Sequence, residues 1–103
     1  MLENVIQKGN NIMVKLDLRS ELPEDAVVFD NPSYDGSIIG VSEDGRVVYD
    51  YNAMIPELIN DYKESGYDMD EMEAEDFISY NTIRALSYVS NPQKPIVIFP
   101  LDF

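Results

Sequence analysis

The chain has no cysteine, no histidine and no tryptophan. Without cysteine there is no disulfide and no thiolate metal site. Without histidine it lacks the commonest general base, the commonest metal ligand and the usual switch near neutral pH. Positive charge is scarce too: seven Lys and Arg stand against twenty Asp and Glu, for a net charge of −13. The seven are scattered from Lys8 to Lys94, so no basic patch is available for DNA, RNA or an anionic membrane. No apolar run approaches the ~20 residues of a membrane span. Met1 to Asn10 lack the basic start and long apolar stretch of a signal peptide. These absences point to the cytoplasm of a bacterium. Nucleophile-elbow, phosphate-loop and dinucleotide glycine patterns are missing as well. Paired carboxylates alone can hydrolyse glycosides, but 103 residues leave little room to enclose a sugar beside a core. The expectation is a protein that is not an enzyme and carries no cofactor.

What the chain does have is acid in one place. Nine of the twenty carboxylates fall between Glu57 and Asp76, and Lys63 is the only basic residue among them, for a local net charge of −8. Such a block repels itself and is solvated. Apolar residues make up 45% of the chain, enough for one core, so a single domain spanning 1–103 is expected, with 1–10 as a flexible arm. Met13 is an alternative start.

The hydrophobic pattern changes period along the chain. Residues 2–8 read as a helical turn or a frayed arm. Ile12, Val14, Leu16 and Leu18 alternate with Met13, Lys15, Asp17 and Arg19, the period of a half-buried strand. Ala26 to Phe29 is a second, short strand, and Asp30 to Gly36 is dense in turn formers. Two β-branched runs, Ser37 to Ser42 and Arg46 to Tyr51, flank Glu43-Asp44-Gly45, a hairpin signature. Met54, Ile55, Leu58, Ile59 and Tyr62 then fall at helical spacing. This predicts a helix over 52–64, capped by Asp50 or Asn52, with Pro56 in its first turn and Gly66 ending it. Asp70 and Glu73 have capping-box spacing, with Met69 placed as a hydrophobic staple. They open a second helix over 70–86, which either breaks near Asn81 or runs on to Leu86. Ile96 to Phe99 reads as a buried strand. The order β-β-β-β-α-α-β predicts an α+β fold, a small mainly antiparallel sheet with two helices on one face. The expected core is Val14, Leu16, Val28, Ile39, Val41, Val48, Ile55, Leu58, Phe77, Ile78, Leu86, Val97 and Phe99. Within the pairs Ile38/Ile39 and Val47/Val48 only one member need point inward.

Two stretches carry a resemblance. One runs from Asn31-Pro32-Ser33-Tyr34-Asp35-Gly36 through Ile38-Ile39-Gly40-Val41 to Asp44-Gly45-Arg46-Val47-Val48-Tyr49-Asp50. The other is Tyr80-Asn81-Thr82-Ile83-Arg84-Ala85-Leu86 with the apolar strand after it. Over roughly residues 26–100 the chain resembles small acidic proteins of unassigned function from Gram-positive gut bacteria and their mobile elements. The resemblance implies a small accessory protein of a mobile element. It implies no reaction and no site residue.

The candidate site is therefore the acidic block. Carboxylates three and four apart on a helix lie about 5–6 Å from one another, of the order of phosphate spacing along a nucleic-acid strand. An acidic helix can then occupy a basic groove and block it. Glu64, Asp68, Asp70, Glu71, Glu73, Glu75 and Asp76 are the candidate contacts, with Tyr67 as an aromatic anchor. The competing reading is a solvated face whose acids complement the helix dipole. Asp68, Asp70, Glu71 and Glu73 are also hard oxygen ligands, but they do not match the calcium-loop spacing, and no metal is expected. Tyr34-Asp35-Gly36 is either a functional loop or plain turn chemistry. Arg84 is expected to pair with Asp50, Asp76 or another carboxylate. The expected partner is a basic protein surface, such as that of a nucleic-acid-binding enzyme, rather than nucleic acid or membrane. An inhibitor of anti-CRISPR or anti-restriction type is the most concrete form. An accessory or regulatory domain acidic only for solubility, and an antitoxin or immunity partner, are the alternatives.

Overall fold

The computed structural model describes residues 5–7 and 22–101. The strand expected over 12–18, with Val14 and Leu16, lies outside the described residues, as does Met13. Strand β1 (Val5–Gln7) pairs antiparallel with β2 (Val27–Phe29), Ile6 opposite Val28. The helical turn expected here is thus corrected over 5–7, which are extended, and the rest of the arm expected over 1–10 lies outside the described residues. A run of three residues is too short to show a period, and its partner strand, not its own pattern, makes it extended. All of Ala26 to Phe29 is buried, as an unbroken apolar run in a strand requires.

The turn formers after β2 build a 3-10 helix over Pro32–Ser37. Asn31 caps it, its side chain accepting from the Ser33 N–H at 3.0 Å, and Pro32 takes the first position, where no donor is needed. Tyr34, Asp35 and Ser37 are buried, so this segment is a structural element rather than an exposed functional loop. Phe29 packs between Tyr34 and Tyr49, at 6.0 and 4.6 Å between ring centroids, and its N–H donates to the Tyr49 hydroxyl at 3.0 Å.

The hairpin forms as expected, β3 (Ile38–Val41) against β4 (Val47–Asp50). Its loop is a three-residue turn. The Gly45 N–H donates to the Ser42 carbonyl at 2.9 Å, the Ser42 N–H to the Arg46 carbonyl at 2.8 Å, and Gly45 takes φ +87°. The Ser42 hydroxyl donates to the Asp44 carboxylate and holds its pKa below the usual value. Facing departs from expectation. Ile38, Val47 and Tyr49 point into the core, while Ile39 and Val41 are exposed. The register slips between Ile38 and Gly40, leaving Ile39 as the extra residue of a bulge, and β3 is an edge strand.

Helix α1 spans Tyr51–Glu64, with Asp50 accepting from the Asn52 N–H at 2.9 Å. The helix starts one residue earlier than predicted, so Pro56 stands at its sixth position, past the first turn, and denies the Asn52 carbonyl its donor. The C-terminus closes as a Schellman motif. Tyr67 N–H donates to the Tyr62 carbonyl at 2.9 Å and Gly66 N–H to the Lys63 carbonyl at 3.0 Å, with Gly66 at φ +87°. The two tyrosine rings of this motif meet at 5.8 Å. Helix α1 packs chiefly on the 3-10 segment and on α2, and less on β4. Met54, Ile55 and Leu58 are its buried stripe.

Helix α2 (Glu71–Phe77) opens on the predicted capping box, with Met69 and Ala74 both in the core. It does not continue as α-helix to Leu86. Ile78–Ile83 is π-helical, and α3 (Arg84–Leu86) is a single turn after it. Ala74, Ile78, Thr82 and Ala85 face inward. Asn81 is half-buried.

Strand β5 (Ile96–Ile98) joins β4 in parallel, Val97 opposite Tyr49, so the sheet order is β3-β4-β5 and the sheet is mixed. An apolar run does not encode its own direction, and the helical segment between β4 and β5 is the crossover a parallel pair needs. Lys94 anchors this return, its Nζ donating to the Leu86 carbonyl at 2.9 Å, and Arg46 Nε donates to the Lys94 carbonyl at 2.8 Å. The strand is not buried as expected: Ile98 and Phe99 are exposed, Phe99 lying 4.5 Å from the Tyr51 ring, while Val97 packs half-buried on the core. β5 is the other sheet edge, so only its inward residue is covered. Val28, Ile55, Leu58 and Ile78 are in the core as expected, with Phe77, Leu86 and Val97 half-buried against it. The whole is α+β. No described helix is long and apolar enough to cross a membrane.

Candidate functional site

The acidic block occupies the end of α1, the loop over 65–70 and α2. Glu64, Asp68, Asp70, Glu71 and Asp76 are exposed, and Glu73 and Glu75 are half-buried. None of the seven predicted acids is in the core. The local sequence explains the arrangement. The Schellman turn at Gly66 reverses the chain, and four residues later the Asp70 cap starts α2, so α1 and α2 pack together and turn their charged sides outward.

The acids differ in what holds them. Asp70 Oδ1 accepts from the Glu73 N–H at 2.8 Å, and the Glu73 carboxylate answers on the Asp70 N–H at 3.5 Å. Glu73 also accepts from the Tyr67 hydroxyl, and that bond raises the Tyr67 pKa. Tyr67 is thus fixed at both ends, by Tyr62 below and Glu73 above, yet remains 48% exposed. A rigid, half-exposed tyrosine suits an interface anchor. Glu71, Glu75 and Asp76 make no such bond among the described residues. With seven residues at ~1.5 Å rise, α2 extends about 10 Å. The acids form a patch over two helix ends and a loop rather than a long ladder. Among the described residues no three acidic side chains converge closely enough to hold a metal ion.

No family model, no curated protein and no solved structure matches this chain.

Two features of this corner are not among the expectations drawn from the sequence. Met72 is 73% exposed amid the acids. Its signal was available, since Met72 stands off the inward row of Ala74, Ile78 and Ala85. The second is a cleft of about 210 Å³ lined by Asn31, Leu58, Asp61, Tyr62, Ser65 and Phe77. Asn31 comes from a distant part of the chain, and no local pattern announces that it faces α1. Arg84 corrects another expectation: its guanidinium lies over the Tyr80 ring, 4.9 Å from the centroid. A flat cation finds an aromatic face one helical turn away, nearer in sequence than any of the carboxylates expected to pair with it.

Proposed function

We propose that this chain is a non-enzymatic interaction module whose acidic corner binds a basic surface of a partner protein and covers it. The observation that carries the reading is the composition of that corner. Carboxylates of Glu64, Asp68, Asp70, Glu71 and Asp76 reach solvent together with Tyr67 and Met72, an aromatic and a thioether side chain of the kinds enriched at interfaces. A face serving solubility alone has no use for exposed apolar anchors among its charges. The most concrete form is an inhibitor from a mobile element that occupies the nucleic-acid-binding surface of a cytoplasmic enzyme. The same charge repels nucleic acid itself.

The test is capture from bacterial lysate followed by a salt titration on the purified pair. The partner is expected to be basic, and association to slow as salt rises. Reversing charge at Glu71, Glu75 and Asp76 is expected to slow association further, with little change in dissociation. Glu73 is left intact because it closes the capping box. An acidic partner, or an association rate indifferent to the triple reversal, overturns the proposal.

A further inference from the structure

The cleft beside the acidic corner has the chemistry of a receptor for one cation. Leu58, Asp61 and Tyr62 stand at i, i+3 and i+4 of α1, so they share one face of the helix, and Ser65 is its C-cap. Fully buried Leu58 and half-buried Asp61, an acidic residue, both line the cleft. The rings of Tyr62 and Phe77 meet edge-to-face at 5.8 Å and form the apolar side. Asn31, whose Oδ1 accepts from the Ser33 N–H, is a further polar residue of the lining. The cleft lies at the C-terminal end of a fourteen-residue helix, where the macrodipole favours positive charge. Among the described residues no Lys or Arg lines it. Its volume of about 210 Å³ is below the ~300 Å³ at which small-molecule pockets begin, and suits a single side chain.

We propose that this cleft receives an arginine side chain of the basic partner. The guanidinium makes a forked pair with the Asp61 carboxylate and lies against Tyr62 and Phe77. Lysine offers a point charge and no plane to stack, so the cleft discriminates between the two cations. The chain already places a guanidinium on a tyrosine face, in Arg84 over Tyr80. The inference rests on the reading of the acidic corner as a protein-binding surface. It adds which residue type of the partner is read, and where.

The test is an NMR titration of the isotope-labelled protein with an oligo-arginine peptide and an oligo-lysine peptide of equal length. The arginine peptide is expected to bind more tightly and to shift the amides of Asn31, Asp61, Ser65 and Phe77. Asp61→Asn is expected to weaken the arginine peptide by about tenfold, the scale of one lost charge-assisted pair. Its effect on the lysine peptide should match that of Glu43→Gln, which removes the same charge from the distant hairpin loop. Equal affinity for both peptides, with shifts over 68–76 only, overturns the arginine cleft and leaves the acidic face standing. Binding of neither peptide overturns both. Unchanged amide spectra outside the cleft in Asp61→Asn confirm that the variant is folded.

Discussion

Thr82 sits in an environment that leaves its hydroxyl unsatisfied. It is almost wholly buried in the π-helical segment, and its hydroxyl has no hydrogen-bond partner among the described residues. A buried hydroxyl without a partner costs about 1–3 kcal/mol relative to one that is bonded. Valine has the same branched shape without the oxygen. Thr82→Val is therefore expected to stabilise the fold by ~1 kcal/mol, a rise in melting temperature of roughly 4–8 °C for a domain of this size. Calorimetry on the two proteins measures it. A lower midpoint in the variant would mean that the hydroxyl has a partner in solution, such as a trapped water, and that the π-helical segment depends on it.

At the scale of elements, two glycines define where the chain turns. Gly45 in the hairpin and Gly66 after α1 both have φ +87°, a region that costs an L-residue ~1–2 kcal/mol. A Cβ at Gly45 would also stand 3.3 Å from the Gln93 side chain, whereas Gly66 faces open space. Alanine is expected to destabilise at both positions, by about 1–2 kcal/mol, with Gly45→Ala the worse. Gly40 lacks the positive φ and has open space, so Gly40→Ala is the control and should be near neutral. Urea unfolding of the three variants separates them, and equal losses at Gly40 and Gly45 would refute the turn geometry. These turns and caps are also what the sequence reveals best. Asp44-Gly45, the Asp70–Glu73 box and Gly66 act through neighbours three to five residues away, so their chemistry is written locally. The bulge at Ile39, the parallel direction of β5 and the π-helical run are set by partners far along the chain. Residue pattern alone therefore sends Ile39 and Phe99 inward when both are exposed. The acidic face was legible because charge block and helix boundaries coincide. The cleft was not, because its lining residue Asn31 precedes α1 by two strands.

At the scale of the whole molecule the charge is both a surface and a strain. Nine carboxylates and one lysine occupy the stretch from Glu57 to Asp76, within a net charge of −13. The acids of this stretch lie exposed or half-buried, so their mutual repulsion passes largely through water and is open to screening. The Debye length falls from about 30 Å at 0.01 M salt to about 8 Å at 0.15 M, so charges across the patch from one another are largely screened while those three or four apart on a helix, about 5–6 Å, still interact. Repulsion is greater in the compact state than in the unfolded chain, and its loss favours folding. The melting temperature is expected to rise by several degrees from low to moderate NaCl. The same increase should be smaller in the Glu71→Gln, Glu75→Gln, Asp76→Gln variant, which starts with less repulsion to relieve. The comparison of slopes matters more than either midpoint, since it assigns the effect to this corner. A midpoint that falls with salt would mean that attractive ion pairs dominate, and the corner would then have less free charge to offer a basic partner.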